Sequence, residues 1–236
     1  NRITCPLFAL LIGALLSAPL SGGMREGKPD TLQEELLSNI RQVTFEGRRA
    51  GESYFSPDGR KMVFQSERDA GNPFYQIFLM DLTTGDTRRV SPGSGKTTCG
   101  WIHPDGRVLY ASTHADPEAE KKQKAELAFR ASGKTRRYQW DYDENFDLYL
   151  LDPEASAPRR LTRARGYDAE GSLSPDGSKV VFSSNRHAYD GELAPHQKKL
   201  FQTDKSSMLD LYMLEIKEGG IERLTIAPGY DGGPFF

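Results

Sequence analysis

The sequence contains one turn motif three times, and this repetition constrains the fold more than any other feature. Each copy is Pro-Asp-Gly preceded by serine or histidine, at 56–59, 103–106 and 174–177. Proline presets a φ angle suited to a turn, and glycine accepts the positive φ that ends it. An apolar, β-rich run follows each copy, at 62–64, 108–110 and 180–182. The motifs therefore predict three β-hairpins.

Two further strands are predicted after each hairpin. The third strands are expected at 76–81, 147–152 and 210–215, and the fourth at 88–91, 159–162 and 222–225. The distance from fourth strand to next turn is constant, because Val90 to Pro104 and Leu161 to Pro175 both span 14 positions. The same distance counted back from Pro57 reaches Val43, within a predicted outer strand at 41–44. Counted forward from Leu224, it reaches position 238, so we expect a fourth repeat to begin before Phe236.

This unit of four strands predicts the architecture. Four short antiparallel strands that recur every 40 or so residues are typical of a β-propeller blade. An all-β sandwich is the alternative, but it predicts hairpins without a repeated four-strand unit of fixed spacing. We predict an all-β chain folded as a β-propeller of four-stranded antiparallel blades, present as an incomplete ring. It would hold about three blades, an N-terminal outer strand that closes the ring by pairing with C-terminal strands, and the start of a fourth blade.

The N-terminus has the layout of a secretory signal peptide. An uncharged apolar run at 6–20 follows Arg2 and precedes the small residues 21–23. The run is shorter than the ~20 residues that span a bilayer as a helix, and an uncleaved anchor is the alternative. We predict a signal peptide at 1–23, a connector with a short helix at 24–39 and a partial propeller at 40–236. The mature protein is then periplasmic or secreted, with no membrane span after cleavage.

Charge, cysteines and motifs exclude several classes of function. The chain has 31 basic and 33 acidic residues, and this balance implies no polybasic surface for nucleic acid. Removal of Cys5 with the signal peptide leaves Cys99 without a partner, so we predict a buried structural thiol rather than a disulfide. Neither a Gly-x-Ser-x-Gly elbow nor a His-Glu-x-x-His motif occurs, and no enzyme is predicted for this segment.

The repeat resembles a known family. The pattern Phe-Ser-Pro-Asp-Gly-Arg-Lys-x-Val-Phe-x-Ser at 55–66, followed by the third strand at 76–82 and Arg-Arg-Val-Ser at 88–91, resembles the WD40-like repeat of TolB-type propellers. It is also similar to the propeller domains of prolyl oligopeptidase-type and tricorn-type proteases. The resemblance covers about residues 40 to 236. It implies a binding or scaffolding module with a protein or cell-envelope partner, and a peptidoglycan-associated lipoprotein is the class to test first. The alternative is the substrate-gating propeller of a peptidase whose catalytic domain lies beyond this chain.

Candidate binding residues lie in loops expected to open on one end of the channel. Asp168 and Asp231 precede a turn proline, or its expected position, by seven residues, and three further side chains follow the second strands at matching places: Arg68, His114 and Arg186. Together they suggest a polar mouth for a cation, a peptide terminus or a partner's side chain. The alternative is structural, with each aspartate accepting hydrogen bonds from loop backbone N–H groups, and repetition favours it. Glu170 and His114 are not repeated and are therefore the better functional candidates.

Two insertions, near 115–145 and 187–207, lengthen the second and third blades. The first includes a predicted helix at 119–130 and ends in three aromatic residues: Tyr138, Trp140 and Tyr142. A basic, aromatic loop can stack on sugars or bind acidic partners, and a solvated loop is the alternative.

Oxygen-bearing side chains alternate along the end of this insertion, at Asp141, Asp143, Asn145 and Asp147. Phe146 replaces the glycine of an EF-hand loop and no glutamate follows at the twelfth position, which excludes an EF-hand. We predict no cofactor or metal. The alternative is a divalent cation such as calcium, because alternate residues of a strand share a face and these oxygens would then lie together.

Overall fold

The computed structural model describes residues 36–137, 140–191 and 193–236, and the chain divides into two units, 1–43 and 44–236. The predicted signal peptide and the first part of the connector lie outside the described residues. Of the predicted connector helix, Leu36 is helical and residues 37–40 are not. The outer strand predicted around Val43 does not form. A strand needs a hydrogen-bonded neighbour, and residues 41–44 belong to none of the described sheets.

Three antiparallel four-stranded sheets follow one another along unit 44–236, and they confirm the predicted repeat. The first contains β1 (Arg49–Phe55), β2 (Lys61–Glu67), β3 (Gln76–Asp81) and β4 (Thr87–Arg89). The second contains β5 (Thr97–Ile102), β6 (Val108–Ser112), β7 (Asn145–Leu151) and β8 (Arg159–Arg160). The third contains β10 (Ala169–Leu173), β11 (Lys179–Ser184), β12 (Met208–Glu215) and β13 (Ile221–Arg223).

Two short strands connect successive blades. After the second blade, β9 (Gly166–Tyr167) pairs in parallel with β7 of that blade, and the chain then enters β10 of the third. After the third blade, β14 (Gly229–Tyr230) pairs in parallel with β12 in the same way. The segment after residue 228 therefore repeats the lead-in to a blade, as predicted from the spacing.

The insertions carry the helices of the described propeller unit. The first contains α1 (Ala119–Ala131), which confirms the predicted helix. The second contains α2 (His187–Asp190), α3 (Pro195–Thr203) and a short 3₁₀ helix (Lys205–Ser207). Among the described residues, no helix is long and apolar enough to cross a membrane.

The Pro-Asp-Gly motifs form the predicted turns between the first and second strands. In the first turn, the Ser56 hydroxyl donates to Asp58 at 2.6 Å and accepts from the Lys61 N–H at 2.9 Å. Gly59 has a φ of 67°, and the glycines of the other two turns also have positive φ angles. The second turn has His103 in place of serine, and its imidazole lies 3.1 Å from the Pro175 carbonyl of the third-blade turn.

The fourth strands end two residues earlier than predicted. At the end of each strand, a serine or threonine hydroxyl, rather than a backbone carbonyl, accepts the hydrogen bond from an N–H of the third strand. The Ser91 side chain accepts from the Ile77 N–H at 3.0 Å, and the Thr162 side chain accepts from the Leu148 N–H at 3.0 Å. Thr225 repeats the contact in the third blade. The Ser or Thr that ends each repeat therefore terminates the strand rather than extending it.

Most of the apolar core lies between neighbouring blades. Of the three apolar clusters among the described residues, one lies within the first blade (Met62, Phe64, Phe78 and Met80), one joins the first and second blades, and one joins the second and third. Both interfaces contain a glycine of an inner strand where the sheets approach most closely. A Cβ at Gly100 would lie 3.0 Å from Val63, and one at Gly171 would lie 3.0 Å from Leu109. These glycines allow each inner strand to pack on the preceding blade.

Candidate functional site

Each inner strand of the three blades contains a β-bulge at the same place in the repeat. The register shifts by one residue between Gly51 and Ser53 in β1, between Thr98 and Trp101 in β5 and between Ala169 and Ser172 in β10. A bulge adds one unpaired residue and redirects its side chain, and bulges are frequent next to functional sites.

The bulge residues are not glycines, although their backbones are left-handed. Their φ angles are 24° for Glu52, 54° for Cys99 and 57° for Glu170, and each lies five positions before the proline of its turn. Gly233, with a φ of 61°, has the same place before the turn expected at position 238. A left-handed residue with a Cβ costs roughly 1–2 kcal/mol. Three such residues at one repeat position indicate that the surrounding structure enforces this backbone conformation, which points their side chains in a direction that a regular strand would not.

These bulge side chains line one cavity of about 370 Å³ on the inner strands. Its walls also include aromatic rings from the first two blades, the first insertion, β9 and the C-terminal segment: Tyr54, Trp101, Trp140, Tyr167, Tyr230 and Phe235. Trp101 lies 5.1 Å from Tyr54 and 5.3 Å from Phe235 between ring centroids. Trp140 lies edge-on to Tyr167 at 4.6 Å on another part of the wall. We call this the inner-strand cavity.

Glu170 is fixed in this cavity by neutral donors. Its Oε2 accepts from the Tyr230 hydroxyl at 2.7 Å, from the Gly233 N–H at 2.7 Å and from the Ser183 hydroxyl at 3.2 Å. Gly232 leaves room for this arrangement, since a Cβ there would lie 2.6 Å from the same oxygen. Glu52 accepts from the Tyr54 hydroxyl at 3.1 Å. Among the described residues, neither glutamate forms an ion pair with a lysine, arginine or histidine.

Burial and the two glutamates, which have no cationic partner among the described residues of the cavity, raise the pKa values of the neighbouring acidic groups. Burial, followed by the charge of Glu52, raises the pKa of the Tyr54 phenol. Burial and the hydrogen bond to Glu170 raise the pKa of Tyr230. Burial, followed by Glu52, also raises the pKa of Cys99, which is a free, buried cysteine as predicted. The thiol is thus protonated at neutral pH and is a poor nucleophile.

Asp168 and Arg186 do not line this cavity. Asp168 is fully buried, and its carboxylate forms an ion pair with Arg186 and accepts from the Ser184 hydroxyl at 2.6 Å. The partners of Asp168 are therefore side chains, whereas the structural alternative considered above used backbone N–H groups. Burial raises the pKa of Asp168, and the Arg186 charge opposes that shift.

Arg68, His114 and Arg186 have equivalent positions in their blades, as their spacing predicts. Each bonds to the serine two residues before it and packs on an aromatic ring of its own sheet. The Arg68 guanidinium lies 5.1 Å from the Phe64 ring, and the Arg186 guanidinium lies 5.2 Å from the Phe182 ring. The His114 ring lies 4.2 Å from the Tyr149 ring, and burial lowers the pKa of the imidazole.

Asp231 repeats the backbone geometry of Asp168. Its N–H donates to the Leu209 carbonyl at 2.9 Å, as the Asp168 N–H donates to the Phe146 carbonyl at 3.1 Å. Their place in the repeat is therefore the same, at the lead-in to an inner strand.

The aromatic residues at the end of the first insertion divide between two regions. Tyr138 lies outside the described residues. Trp140 lines the inner-strand cavity, and the Tyr142 hydroxyl bonds to the Tyr189 hydroxyl at 2.6 Å. Trp140 and Tyr142 also border a groove of about 1150 Å³ between the first blade and α1. Ion pairs lie along its walls, including Lys96 with Asp141 and Arg130 with Glu126.

The three aspartates of the alternating series form ion pairs with lysine or arginine side chains. Asp141 pairs with Lys96 at 2.6 Å, and Asp143 pairs with Lys122 at 2.7 Å. Asp147 forms an ion pair with Arg160. In the described ranges, no group of three or more histidine, cysteine or acidic side chains is arranged to hold a metal ion.

Sequence reasoning missed Glu52, Tyr54, Trp101, Tyr167 and Tyr230. The missing signal was available, because counting five positions back from each turn proline reaches both glutamates and Cys99. A count of seven positions instead selects the framework residues Ala50, Thr97 and Asp168.

Comparison with known proteins identifies the repeat. A TolB homologue of Chlorobium luteolum is 30% identical over 186 residues, covering 71% of this chain and 40% of the homologue. The structure of a putative TolB from Agrobacterium tumefaciens aligns with a TM-score of 0.52 at 20% identity, over 80% of this chain and 53% of that one. A puromycin-hydrolyzing peptidase of Mycobacterium tuberculosis aligns with a TM-score of 0.50 at 11% identity, over 80% of this chain and 24% of the peptidase. No protein-family model matches the chain.

These structural similarities establish the fold alone. The chain spans 40% of the length of the Chlorobium luteolum homologue and about half of the Agrobacterium tumefaciens structure.

Proposed function

We propose that this chain, a TolB-like β-propeller present as an incomplete ring, is a binding or scaffolding module that recognises a protein or cell-envelope partner at the mouth of its channel. The observation that carries the proposal is the inner-strand cavity, where Glu52 and Glu170 occupy strained bulge positions among aromatic rings. Backbone strain of this kind costs stability and persists where the surrounding structure enforces it, commonly at binding sites.

The composition of the cavity favours binding over catalysis. A binding site needs apolar walls and a few fixed polar groups, and the cavity has both. Nucleophilic catalysis would need an activated nucleophile with a base beside it. Cys99 is the nucleophilic side chain of this wall, and its raised pKa keeps it in the thiol form.

The location and partner class come from the resemblance and the predicted leader. The apolar run at 6–20 supports export, and the similarity to TolB homologues supports a place in the cell envelope. A peptidoglycan-associated lipoprotein is the partner to test first. The other candidate residues, including His114, Trp140 and Tyr142, extend the proposed binding face around the cavity.

The test is direct binding to a purified peptidoglycan-associated lipoprotein of the same organism, measured by calorimetry. We expect Glu170→Ala to weaken binding about tenfold or more, as truncation of a buried polar anchor does in other interfaces. The matched control is Glu218→Ala, an exposed glutamate in the turn after β12. Native affinity in the Glu170 variant, or equal losses in both variants, would count against the cavity as the binding site. His114→Ala measures how far the binding face extends beyond the cavity.

A second candidate concerns the longer protein. The alternative is a propeller that gates access to a catalytic domain encoded after this segment, because the repeat also resembles the propeller domains of prolyl oligopeptidase-type and tricorn-type proteases. Sequencing the complete gene distinguishes the two. Roughly 120–150 further residues of propeller repeats followed by a stop codon support the binding module, since closed rings have 4–8 blades. A following α/β domain with a nucleophile elbow supports the gating function.

A further inference from the structure

We infer that the inner-strand cavity binds an organic cation, namely the guanidinium or ammonium group of a basic side chain on the partner. The inference rests on the proposed function, because it names the chemical group that the binding module recognises.

The charge of the cavity is the first argument. Glu52 and Glu170 contribute two carboxylates, and no lysine, arginine or histidine is among the described residues that line it. Buried Glu67 of the first blade, by contrast, pairs with both Arg49 and Arg130. Glu170 is half-buried and Glu52 is exposed. A half-buried carboxylate without a counter-charge, such as Glu170, favours the arrival of a cation.

The aromatic walls are the second argument. A cation is stabilised when it lies within about 6 Å of the face of a tryptophan or tyrosine ring. Tyr54 and Trp101 form one aromatic wall, and Trp140 and Tyr167 form another. The Tyr54 and Tyr230 hydroxyls donate to the glutamates, so the phenols hold the carboxylate oxygens in place beside the rings.

The arrangement suits an organic cation better than a metal ion. Calcium requires six to eight oxygen ligands, whereas this wall offers two carboxylates that already accept hydrogen bonds. Rings supply no ligands to a hard metal ion, but they contact the flat guanidinium group and the apolar stem of a basic side chain. A cavity of about 370 Å³ also greatly exceeds the ~30 Å³ that one water occupies in the liquid, so it accommodates a side chain.

The chain contains its own reporter for this binding. It has two tryptophans, Trp101 and Trp140, and both line the cavity. The probe is N-acetyl-arginine amide, added to the 236-residue chain while tryptophan emission is recorded. We expect a saturable change in emission. N-acetyl-citrulline amide, the neutral isostere, should bind about tenfold more weakly or not at all. The variant Trp140→Phe leaves Trp101 as the reporter, so a saturable response in this variant assigns binding to the cavity rather than to the groove that Trp140 also borders. Its affinity should be lower than that of the native chain, because Trp140 is part of one aromatic wall.

The site is tested by removing the charges without changing the shape of the side chains. The double variant Glu52→Gln/Glu170→Gln should lose about tenfold or more in affinity for N-acetyl-arginine amide, while Glu218→Gln keeps the native affinity. Circular dichroism of each variant checks that the fold is retained, and Glu170→Gln alone provides the smaller change if the double variant does not fold.

Any of three outcomes overturns the cation site: no saturable response to the arginine compound, with or without a response to calcium chloride; equal binding of the citrulline compound; or undiminished binding in both charge variants. Putrescine, tested in parallel, assigns the source of the cation. If putrescine binds tenfold more tightly than the arginine compound, the ligand is a free polyamine rather than a side chain of the partner.

The two proposals can fail separately. If the lipoprotein binds but the arginine compound does not, the cation site is wrong and the binding module stands; the reverse result leaves the cation site without that partner.

Discussion

Two acidic residues of the third blade, two positions apart, have opposite surroundings. Asp168 is fully buried at the lead-in to β10 and forms an ion pair with Arg186. Glu170 is half-buried on the bulge of β10 and is held by neutral donors beside an open cavity. The difference shows that the propeller uses one position of the repeat for its framework and another, two residues on, for a site that varies from blade to blade.

The same division holds in the other blades. The framework position has Ala50, Thr97 and Asp168, each opposite a serine of the second strand or bonded to one. The bulge position has Glu52, Cys99 and Glu170, whose side chains share the cavity. The framework position should therefore control stability, and the bulge position should control binding at low cost in stability.

The largest effect is expected at Asp168. Asp168→Ala leaves Arg186 buried without its counter-charge, and such losses cost roughly 3–5 kcal/mol of unfolding free energy. Urea denaturation followed by circular dichroism measures the change. The double variant Asp168→Ala/Arg186→Met should be more stable than Asp168→Ala alone, since methionine keeps the packing against Phe182 without the charge. A single variant as stable as the native chain would place Asp168 outside the framework.

The next effect concerns the interface between blades. Gly171→Ala should destabilise the chain by roughly 1–3 kcal/mol, because its Cβ would press on Leu109, Leu148 and Val180 at 3.0–3.3 Å. The matched control is Gly71→Ala, where a Cβ meets no atom within 4 Å, and there the melting temperature should stay the same or rise slightly. Equal melting temperatures for the two variants would show that the third blade can shift to accept the methyl group.

The third prediction tests strain at the bulge. Glu170→Gly should be more stable than Glu170→Ala by about 1 kcal/mol, because glycine adopts a φ of 57° freely and alanine does not. Both variants lose the hydrogen bonds from Tyr230 and Gly233, so the comparison isolates the backbone. Both should also lose binding of N-acetyl-arginine amide. Equal unfolding free energies would mean that the left-handed backbone is not strained at this position.

The strands and turns of the blades were predicted from the sequence more accurately than the residues of the cavity, because the strands and turns depend on local signals. Turn residues and apolar runs act locally, and the third strand at Gln76–Asp81 has the predicted limits. The end of β4 depended on the Ser91 hydroxyl, whose preference for the Ile77 N–H over solvent is not visible in composition. The outer strand predicted at Val43 is absent, and its local propensity alone did not decide this, since β-propensity depends strongly on context.

The cavity was hidden because a bulge interrupts the alternation on which strand reasoning depends. In a regular strand, residues two apart share a face, which would put Asp168 and Glu170 on the same side. The added residue at the bulge separates them, and a positive φ at glutamate or cysteine has no signature in a single sequence. Their common distance from the turn was the accessible sign.

The smallest effect is expected at a third acidic residue of this blade, Asp176 in the Pro-Asp-Gly turn. This fully exposed carboxylate accepts from the Ser174 hydroxyl at 2.6 Å and the Ser178 N–H at 3.0 Å, and these bonds lower its pKa to about 2. Because the pKa is lower in the folded chain than the ordinary 3.8, the stabilisation is complete above about pH 4 and is lost as the pH falls towards 2. Asp176→Asn should therefore lower the melting temperature slightly at pH 6, and the difference from the native chain should shrink between pH 4 and pH 3. A difference that stays constant across this range would assign the effect of Asp176 to turn geometry rather than to its charge.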